Sequence, residues 1–351
     1  MRGIHQFVPM LHRGDAVGRH ALRLRDLMVA RGIPSRIYVE LVDPETAAET
    51  EVASAYPEAR SPGDVLLYQL ATASDLAPWL AARAETLVVN YHNITPPEMF
   101  AAWDNGLARH QLKARAELAL LAPRTTLAVA VSDYNQGELT AAGYVRTTVV
   151  PPAAMMPAPA TALTRSAPRR RGARWLSVGR MAPNKSLQDA VMALLVTRAH
   201  HDPEATLQIV GQSVVPTYTR ALARFVADMG LGRAVTFHGH VSDDALNAAL
   251  AQSDVLVVTS NHEGFGVPII EAMSVGLPVV ANRAGALPEV VGPAGVLVDT
   301  GDPYALAAAI TDLLEDGGRV ASLVAVGHAQ VRALNLDTAG DRLIDLVQGL
   351  P

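Results

Sequence analysis

The chain repeats one pattern along its length: short runs rich in Val and Leu alternate with longer segments whose apolar residues recur at helical spacing. The short runs largely lack the polar–apolar alternation of half-exposed strands, which favours strands buried on both faces of a parallel sheet. A chain of 351 residues is also longer than one hydrophobic core usually serves. The pattern therefore predicts an α/β protein with two Rossmann-like, doubly wound domains facing a central cleft.

Element positions follow from the same periodicity and from residues that start or stop helices. A helix is expected over residues 16–30, and a final helix over 338–348. Ser186 with Asp189 three residues later resembles a capping box, and Ser242 and Asp302 are expected helix N-caps. The expected strands lie at residues 3–9, 35–39, 65–70, 87–91, 126–131, 147–150, 174–178, 207–210, 235–237, 255–259, 278–281 and 295–298.

The regular pattern stops in the middle of the chain. Residues 153–172 are rich in Pro and Ala without a hydrophobic period, which predicts a linker between the domains. An arginine cluster spans the end of this segment and is formed by Arg169, Arg170, Arg171 and Arg174. It is interpreted either as a solvated junction or as a contact with an anionic membrane surface or substrate.

Composition excludes several classes of protein. The absence of cysteine excludes disulfide scaffolds, cysteine-ligated metals and thiol nucleophiles. A net charge of −5 disfavours a dedicated nucleic-acid binder. No apolar run is long enough to span a bilayer, and the first residues turn polar too early for a signal peptide. A cytoplasmic location is expected, and a peripheral contact with the inner membrane face stays open.

The stretch from Val255 to Met273 is the most informative. An apolar strand leads into a turn with Gly264 and Gly266 and then into a helix, which would cradle a diphosphate at the unpaired N–H groups of the helix start. Glu271, inside that helix, can accept hydrogen bonds from a vicinal diol such as a ribose. Glu263 would then face the group carried by the far phosphate.

Other interpretations of this stretch are weaker. A dinucleotide fingerprint lacks its third glycine, because Ile269 stands there. A zincin motif beginning at His262 would need its second histidine where Gly266 stands. The two glutamates could form a glycosidase pair, although nothing nearby indicates a sugar-hydrolysing barrel. An ordinary strand–turn–helix without a ligand is the remaining alternative.

A second polar loop follows a strand and precedes a helix, at residues 177–186. It carries Arg180 and Lys185, a planar donor fork and a compact charge that together suit a diphosphate. Taken alone, the spacing of these two cations is equally typical of a surface loop. Beside the two glutamates of the later segment, it becomes a strong indication of a diphosphate site.

Together these residues resemble a known family. Gly179-Arg180 with Lys185, the segment from His262 to Met273, Gly276–Val280 and Pro288–Val291 are similar to the C-terminal half of the family-4 retaining glycosyltransferases of GT-B fold. The resemblance covers most of residues 174–315. In the first half it is limited to Gly14 in the first loop, His92 after a strand, and Val131-Ser132 before a helix.

The resemblance implies a nucleotide-sugar donor bound mainly by the second domain. Arg180 and Lys185 would hold the diphosphate and stabilise it as a leaving group, and Glu271 would hold the ribose. His92 would reach the donor sugar from the first domain. The remaining implied contacts with the donor come from Glu263, from the backbone of Gly264, Phe265, Gly266 and Val267, from Gly14 and Gly179 near the diphosphate, and from Gly239 and Val241 at the base.

The same resemblance implies where the acceptor binds. Residues 1–152 would form the acceptor-side domain, 173–335 the donor domain, and 336–351 would pack back on the first domain. Asp15 is expected either to contact an acceptor hydroxyl or to cap a helix, and the same two alternatives hold for Ser132. Two departures from the family pattern are Gly14-Asp15 in place of a glycine pair and Gly285-Ala286 in place of Gly-Gly.

The expected reaction is a metal-independent transfer with retention of the anomeric configuration. The sequence contains no Asp-x-Asp pair, so Arg180, Lys185 and the helix dipole are expected to stabilise the departing diphosphate without metal or other cofactor. The acceptor could be a lipid carrier, a glycan or a secondary metabolite. Open alternatives are a non-catalytic sugar-nucleotide-binding subunit and a GT-B-fold nucleotide-sugar epimerase; a phosphorylase would need a pyridoxal phosphate lysine, and Lys113 and Lys185 are poorly placed for it.

Overall fold

A computed structural model describes residues 2–57, 63–153 and 171–351. These residues form two compact units. The first contains residues 2–57, 63–97, 106–153 and 335–351, and the second contains residues 98–105 and 171–334. Most of the predicted linker, residues 154–170, lies outside the described residues, as do Arg169 and Arg170 of the arginine cluster.

Each unit is built on a parallel sheet. The first sheet has the order β3-β2-β1-β4-β5-β6-β7, and the second has the order β10-β9-β8-β11-β12-β13. All of the paired strands run parallel. In the described residues the strands are β1 (Ile4–Met10), β2 (Ile37–Leu41), β3 (Thr50–Val52), β4 (Val65–Leu70), β5 (Thr86–Tyr91), β6 (Thr125–Ala130), β7 (Thr147–Val149), β8 (Arg174–Val178), β9 (Thr206–Val210), β10 (Val235–Gly239), β11 (Val255–Val258), β12 (Val279–Asn282) and β13 (Val296–Val298).

Helices connect most of the consecutive strands and cover the sheets. This arrangement follows from the apolar strands, which must be covered on both faces. The helices of the described residues are α1 (Ala16–Ala30), α2 (Leu76–Ala82), α3 (Glu98–Ala101), α4 (Asn105–Leu121), α5 (Asp133–Ala141), α6 (Leu187–His200), α7 (Pro216–Asp228), α8 (Asp243–Gln252), α9 (Val267–Ser274), α10 (Leu287–Val291), α11 (Pro303–Glu315), α12 (Gly317–Leu334) and α13 (Leu336–Gln348).

The last helix completes the core of the first unit. Leu343 and Val347 of α13 are buried in one cluster with Leu24 and Met28 of α1. At Gly340 an added Cβ would lie 2.5 Å from the Leu27 side chain, so the missing side chain lets α13 approach α1 closely. The chain therefore returns to the unit in which it starts.

A short segment of the first half of the chain belongs to the second unit. Trp103, in residues 98–105, packs edge-to-face on Tyr218 of α7 with ring centroids 5.2 Å apart. The Oγ1 of Thr217 donates a hydrogen bond to the Trp103 carbonyl at 2.8 Å. No motif or periodicity in the sequence indicates this placement.

The predicted fold class is confirmed, and most predicted strands and helices occur within one or two residues of their expected positions. Ser242 and Asp302 cap α8 and α11 through their side chains, as expected. The predicted capping box at Ser186 is wrong. Ser186 has φ +46°, outside the extended conformation of an N-cap residue, and its Oγ accepts a hydrogen bond from the Asn261 side chain at 2.5 Å instead.

Candidate active site

The order of the strands in the second sheet reverses between β8 and β11. From β8 the chain continues to β9 and β10 on one side, whereas β11 continues to β12 and β13 on the other. Because β8 and β11 are parallel neighbours, the loops that follow them leave the same edge of the sheet side by side. Ligands of open α/β sheets bind at such a reversal of strand order. Both loops singled out in the sequence, residues 179–186 and 259–266, begin there.

The first loop is shaped by two glycines. Gly179 has φ +148°, and the Lys185 side chain folds over it, with Cε and Nζ 3.5 and 3.7 Å from where a Cβ would stand. Gly211, after β9, has φ +146°, and a Cβ there would lie 1.9 Å from the Gly179 carbonyl oxygen. Gly211 therefore allows the loop to reach its position, a role that the sequence did not show.

The two loops meet in an ion pair. Lys185 Nζ contacts Glu263 Oε2, and each side chain is 18% exposed. The structure thus brings together two residues that are 78 positions apart and that the family resemblance placed at one site. Removing one partner of a largely buried pair of this kind lowers stability, because the remaining charge would be left without compensation.

The second loop leads into α9 through a conformation that needs glycine. Gly266 has φ +97°, and a Cβ there would lie 3.1 Å from the Ile269 side chain. Phe265 is buried, and Gly264 precedes it on the same turn. Helix α9 begins at Val267, and a Cβ at Gly266, just before it, would lie 3.6 Å from Glu263 Cγ, so the positive end of the helix lies close to the ion pair. Glu271 lies in α9 and is buried.

Buried amide and hydroxyl groups tie the two loops together. Asn282, at the end of β12, donates to Asn261 Oδ1 at 2.9 Å and to the Ser260 carbonyl at 3.1 Å. Asn261 donates in turn to the Ser186 hydroxyl.

Two further side chains donate to backbone carbonyls of these loops. Thr259 Oγ1 donates to the Lys185 carbonyl at 2.8 Å, and Asn184 Nδ2 donates to the His262 carbonyl at 3.3 Å. The position of Lys185 relative to Glu263 therefore depends on groups that touch neither charge.

The loop after β12 supports Glu263 from behind. The backbone N–H of Ala286 donates to the Glu263 carbonyl at 2.9 Å. Gly285 has φ +54°, and a Cβ there would lie 2.5 Å from the Glu263 carbonyl oxygen and 2.8 Å from its nitrogen. Position 285 thus requires glycine because the Glu263 backbone lies so close to it, whereas position 286 accommodates the methyl group of alanine.

Arg180, Gly239 and Val241 are the other residues of this unit that the sequence predicts to bind the nucleotide sugar. Arg180 follows Gly179 and is exposed; no residue of the described ranges forms a hydrogen bond or ion pair with its guanidinium. Gly239 ends β10 with φ +65°, and Val241 follows it half-buried. Arg180 therefore carries a positive charge that is available to a ligand.

In the first unit, two predicted acceptor residues cap helices. The Asp15 side chain accepts a hydrogen bond from the Gly18 N–H at 2.6 Å, at the start of α1. The Ser132 hydroxyl accepts one from the Asn135 N–H at 3.1 Å, at the start of α5. Gly14, just before Asp15, is exposed. Capping was one of the two interpretations of each side chain, and neither contact tests binding of an acceptor.

His92 directly follows β5 in the first unit, and its ring is hydrogen-bonded rather than free. Its Nε2 lies 2.7 Å from Oε1 of Gln69, on the neighbouring strand β4. Its ring lies edge-to-face against His20, with centroids 5.1 Å apart. Burial, with a smaller contribution from His20, holds the pKa of His92 well below its usual value. His92 is therefore neutral at pH 7.

Two further features of the described residues bear on function. They contain no group of three or more His, Asp or Glu side chains placed to hold a metal ion. None of their helices combines the length and the apolar character that crossing a bilayer requires.

Comparison with known proteins agrees with this description. Residues 172–316 match the family described as "Glycosyl transferases group 1". A GDP-mannose:cellobiosyl-diphosphopolyprenol alpha-mannosyltransferase of Xanthomonas oryzae is 34% identical over 105 residues, which are 30% of this chain and 27% of that protein. A glycogen synthase of Mycobacterium tuberculosis is 30% identical over 151 residues, 42% of this chain and 36% of that protein. The chain thus matches about a third of the length of these relatives.

Similarity of structure extends over the whole chain. HepE of Anabaena, solved in complex with UDP and glucose, superposes with a TM-score of 0.77 over 99% of this chain and 100% of that one, at 21% identity. The family match agrees with the motifs of residues 172–316 that carried the predicted resemblance, and the superposition confirms the predicted fold. The chain therefore has the GT-B fold, and its residues 172–316 are similar to the glycosyl transferases group 1 family.

Proposed function

We propose that the chain transfers a sugar from a nucleotide-sugar donor to a hydroxyl acceptor. The observation that carries the proposal is the meeting of Lys185, Glu263 and the start of α9 at the strand reversal between β8 and β11. A cation and a helix N-terminus are both suited to a diphosphate. The solved neighbour in complex with UDP and glucose supports a donor of the same class.

The charges are suited to stabilising a leaving group. Breaking the bond between the anomeric carbon and the diphosphate oxygen leaves negative charge on the nucleoside diphosphate. Lys185 and Arg180 would be attracted more strongly to that anion than to the intact donor, and only such a difference accelerates the step. One donor of this kind contributes about 3 kcal/mol. Without ligand, Glu263 neutralises Lys185, so the incoming diphosphate would take over this role and leave Glu263 to the donor sugar.

Glu271 completes the proposed donor site. It is buried in α9, one helical turn beyond Gly266, and its carboxylate can accept two hydrogen bonds from the ribose hydroxyls. Phe265, Val267, Gly239 and Val241 are assigned by the family pattern to the same donor. Gly14 and His92 of the first unit are assigned to the diphosphate and the donor sugar by the same pattern.

We further propose that transfer retains the anomeric configuration and needs no metal. The departing diphosphate oxygen would take the proton of the acceptor hydroxyl, while the acceptor oxygen forms its bond to the anomeric carbon on the face that the diphosphate leaves. Fixed cations in the chain support this assignment, as does the absence of an Asp-x-Asp pair from the sequence.

The donor and product can be identified in one experiment. The chain is screened against UDP-, GDP-, ADP- and dTDP-sugars by thermal shift and by product analysis, with candidate acceptors that include polyprenyl-diphosphate sugars, because one relative is named for such a substrate. We expect transfer to occur in the presence of EDTA. The coupling constant of the anomeric proton should show that the product has the same anomeric configuration as the donor. An inverted product, or activity that EDTA abolishes and Mg²⁺ restores, would refute retention or metal independence respectively.

The alternatives give different results in the same screen. A non-catalytic subunit would show a thermal shift with a nucleotide sugar and no product with any acceptor. An epimerase would convert the donor sugar without an acceptor. Either result would overturn the transferase proposal while leaving the nucleotide-binding site in place.

A further inference from the structure

The turn that carries Lys185 ends in a backbone conformation that residues other than glycine rarely adopt. Ser186 has φ +46° and ψ +44°, in the left-handed region, and it separates the 3₁₀ turn Pro183–Lys185 from helix α6. A residue with a side chain stays in this conformation only where the surrounding structure holds it. The contacts on either side of Ser186 therefore decide where the Lys185 turn lies.

The residue after Ser186 is held by a tyrosine from another helix. The backbone N–H of Leu187, the first residue of α6, donates to the hydroxyl of Tyr218 at 3.0 Å. Tyr218 lies in α7 and is 3% exposed, and its hydroxyl donates in turn to Gln188 Oε1 at 2.8 Å. The first N–H groups of a helix have no partner within it. Tyr218 thus takes the place of the side-chain cap that Ser186 does not supply.

Residues 98–105 cover the ring of Tyr218. Trp103 packs edge-to-face on that ring, with centroids 5.2 Å apart, and its carbonyl accepts the hydrogen bond from Thr217 Oγ1 at 2.8 Å. Helix α3, at the start of the same segment, lies beside the Pro183–Lys185 turn. All of these residues belong to the second unit. The segment therefore supports the Lys185 turn directly at one end and through Tyr218 at the other.

The hydroxyl of Tyr218 has a purpose that packing does not explain. A buried hydroxyl is costly unless it is paired, and this one is both an acceptor and a donor. Burial raises the pKa of Tyr218 well above its usual value, so the hydroxyl keeps its proton. The ring of a phenylalanine would fill the same space. Only the hydroxyl reaches Leu187 and Gln188, the two residues that follow Ser186.

We propose that Tyr218, covered by Trp103, is a positioning residue for Lys185: it fixes the end of the turn so that the ammonium group meets the diphosphate of the donor. The inference rests on the proposed function for the identity of this ligand, whereas the contact between Tyr218 and Leu187 belongs to the free protein. Misplacing a binding group by about 1 Å can cost about 100-fold in rate. A hydroxyl that is assigned no contact with the ligand can therefore control turnover.

The first test follows Lys185 in the free protein. The chain contains two lysines, Lys113 and Lys185, so a sample labelled with ¹⁵N-lysine gives two backbone amide signals, which Lys185→Ala assigns. Tyr218→Phe is expected to shift the Lys185 signal and to leave the Lys113 signal in place. The matched control is Tyr144→Phe, because Tyr144 is a buried tyrosine of the first unit whose hydroxyl donates to the Leu118 carbonyl at 2.9 Å. An unmoved Lys185 signal in Tyr218→Phe would overturn the proposal.

The second test separates positioning from stability by a double-mutant cycle. With the identified donor, Tyr218→Phe is expected to lower kcat about tenfold, and Tyr144→Phe to leave it unchanged. In the Lys185→Ala background, Tyr218→Phe should lower kcat by less than about twofold, because no ammonium group is left to position. Equal losses in the two backgrounds would mean that Tyr218 acts independently of Lys185 and would contradict the positioning role.

A third pair of variants tests the cover. Trp103→Ala removes the ring that packs on Tyr218 and is expected to lower kcat about fivefold. Trp103→Phe keeps an aromatic ring there and should restore most of that loss. Wild-type kcat in Trp103→Ala, or an equal loss in Trp103→Phe, would contradict the role of the Trp103 ring.

Failure of the proposed function gives a different result. Absence of turnover by the wild-type chain with every donor would overturn the transferase proposal. The amide signal of Lys185 in the free protein would still decide whether Tyr218 holds the turn.

Discussion

The two units reverse their strand order at comparable places, but they put their polar groups at different depths. In the first unit the amides of Gln6 and Gln69 lie inside β1 and β4, beneath the point of reversal. In the second unit the strands β8 and β11 are apolar at their centres, and the charged pair Lys185–Glu263 lies in the loops beyond them. The first arrangement hydrogen-bonds the ring of His92, whereas the second brings opposite charges together.

This difference explains why the second unit carries the recognisable motifs. Charges and glycines that meet a ligand through a loop occupy fixed positions along a short segment. A buried amide can be paired from any neighbouring strand, so its partners have no fixed spacing in the sequence. The contrast between the units can be sharpened by substitutions in each.

The largest effect is expected from the charge of the second unit. Lys185→Ala should lower kcat about 100- to 1,000-fold, because a cation at the departing diphosphate is lost. The matched control is Lys113→Ala, which replaces the other lysine of the chain, an exposed residue paired with Asp75. Steady-state kinetics with the identified donor make the comparison. Similar kcat values for the two variants would contradict a role of Lys185 at the departing diphosphate.

A large effect is also expected where backbone supports Glu263. Gly285→Ala places a Cβ 2.5 Å from the Glu263 carbonyl oxygen at a φ of +54°. The loop must shift, and a displacement of about 1 Å can cost about 100-fold in rate. Gly232→Ala is the control, because a Cβ there meets no atom within 4 Å. If kcat in Gly285→Ala matched that of the control, the backbone support of Glu263 would be irrelevant to activity.

A smaller effect is expected from the amides that join the two loops of the second unit. Asn282→Ala removes the hydrogen bonds to Asn261 and to the Ser260 carbonyl. We expect kcat to fall about tenfold, with the thermal unfolding temperature lowered as well. The neighbouring exposed residue gives the control variant, Arg283→Ala. An unchanged kcat together with a lowered unfolding temperature would assign Asn282 to stability alone.

The smallest effect is expected at the helix cap of the first unit. Asp15→Ala should lower the free energy of unfolding by about 1 kcal/mol, because the Gly18 N–H loses its acceptor. Asp15→Ser keeps an oxygen at this position and should restore most of that stability. Denaturant unfolding measures both variants. If kcat or the KM for the acceptor changes in Asp15→Ser while stability is restored, Asp15 also contacts the acceptor.

The fold could be predicted closely because its signals are local. Val65–Leu70, Arg174–Val178 and Ala16–Ala30 have the bounds that periodicity indicated. The error at Ser186 has a clear cause: its hydroxyl has a partner in Asn261, 75 residues away, and that contact replaces the cap. The assignment of residues 98–105 to the second unit was missed for the same reason, because Trp103 packs on a side chain more than 100 residues further along the chain.

The candidate site was predicted in part. Lys185 and Glu263 were named from their motifs, and the structure places them in contact. Gly211, Asn282 and Gln69 were not named. A glycine that only allows another loop to approach, or an amide in the interior of a strand, carries no signal until its partner is known. A polar residue within a predicted buried strand, as at Gln6, Gln69 and Asn90, is the one signal that could have been used.

By itself, the amino-acid order determined the parallel architecture of both units. It also determined the turn with Gly264 and Gly266 that leads into α9, and the identity of the charged residues beside that turn. These properties depend on side-chain periodicity and backbone freedom within a few consecutive residues. Only the tertiary structure decided that Lys185 is held by Glu263, that Gly285 leaves space behind it, and that His92 is bound through Gln69. Such contacts join distant segments, and their geometry is set by how strands and loops pack, which no local pattern encodes.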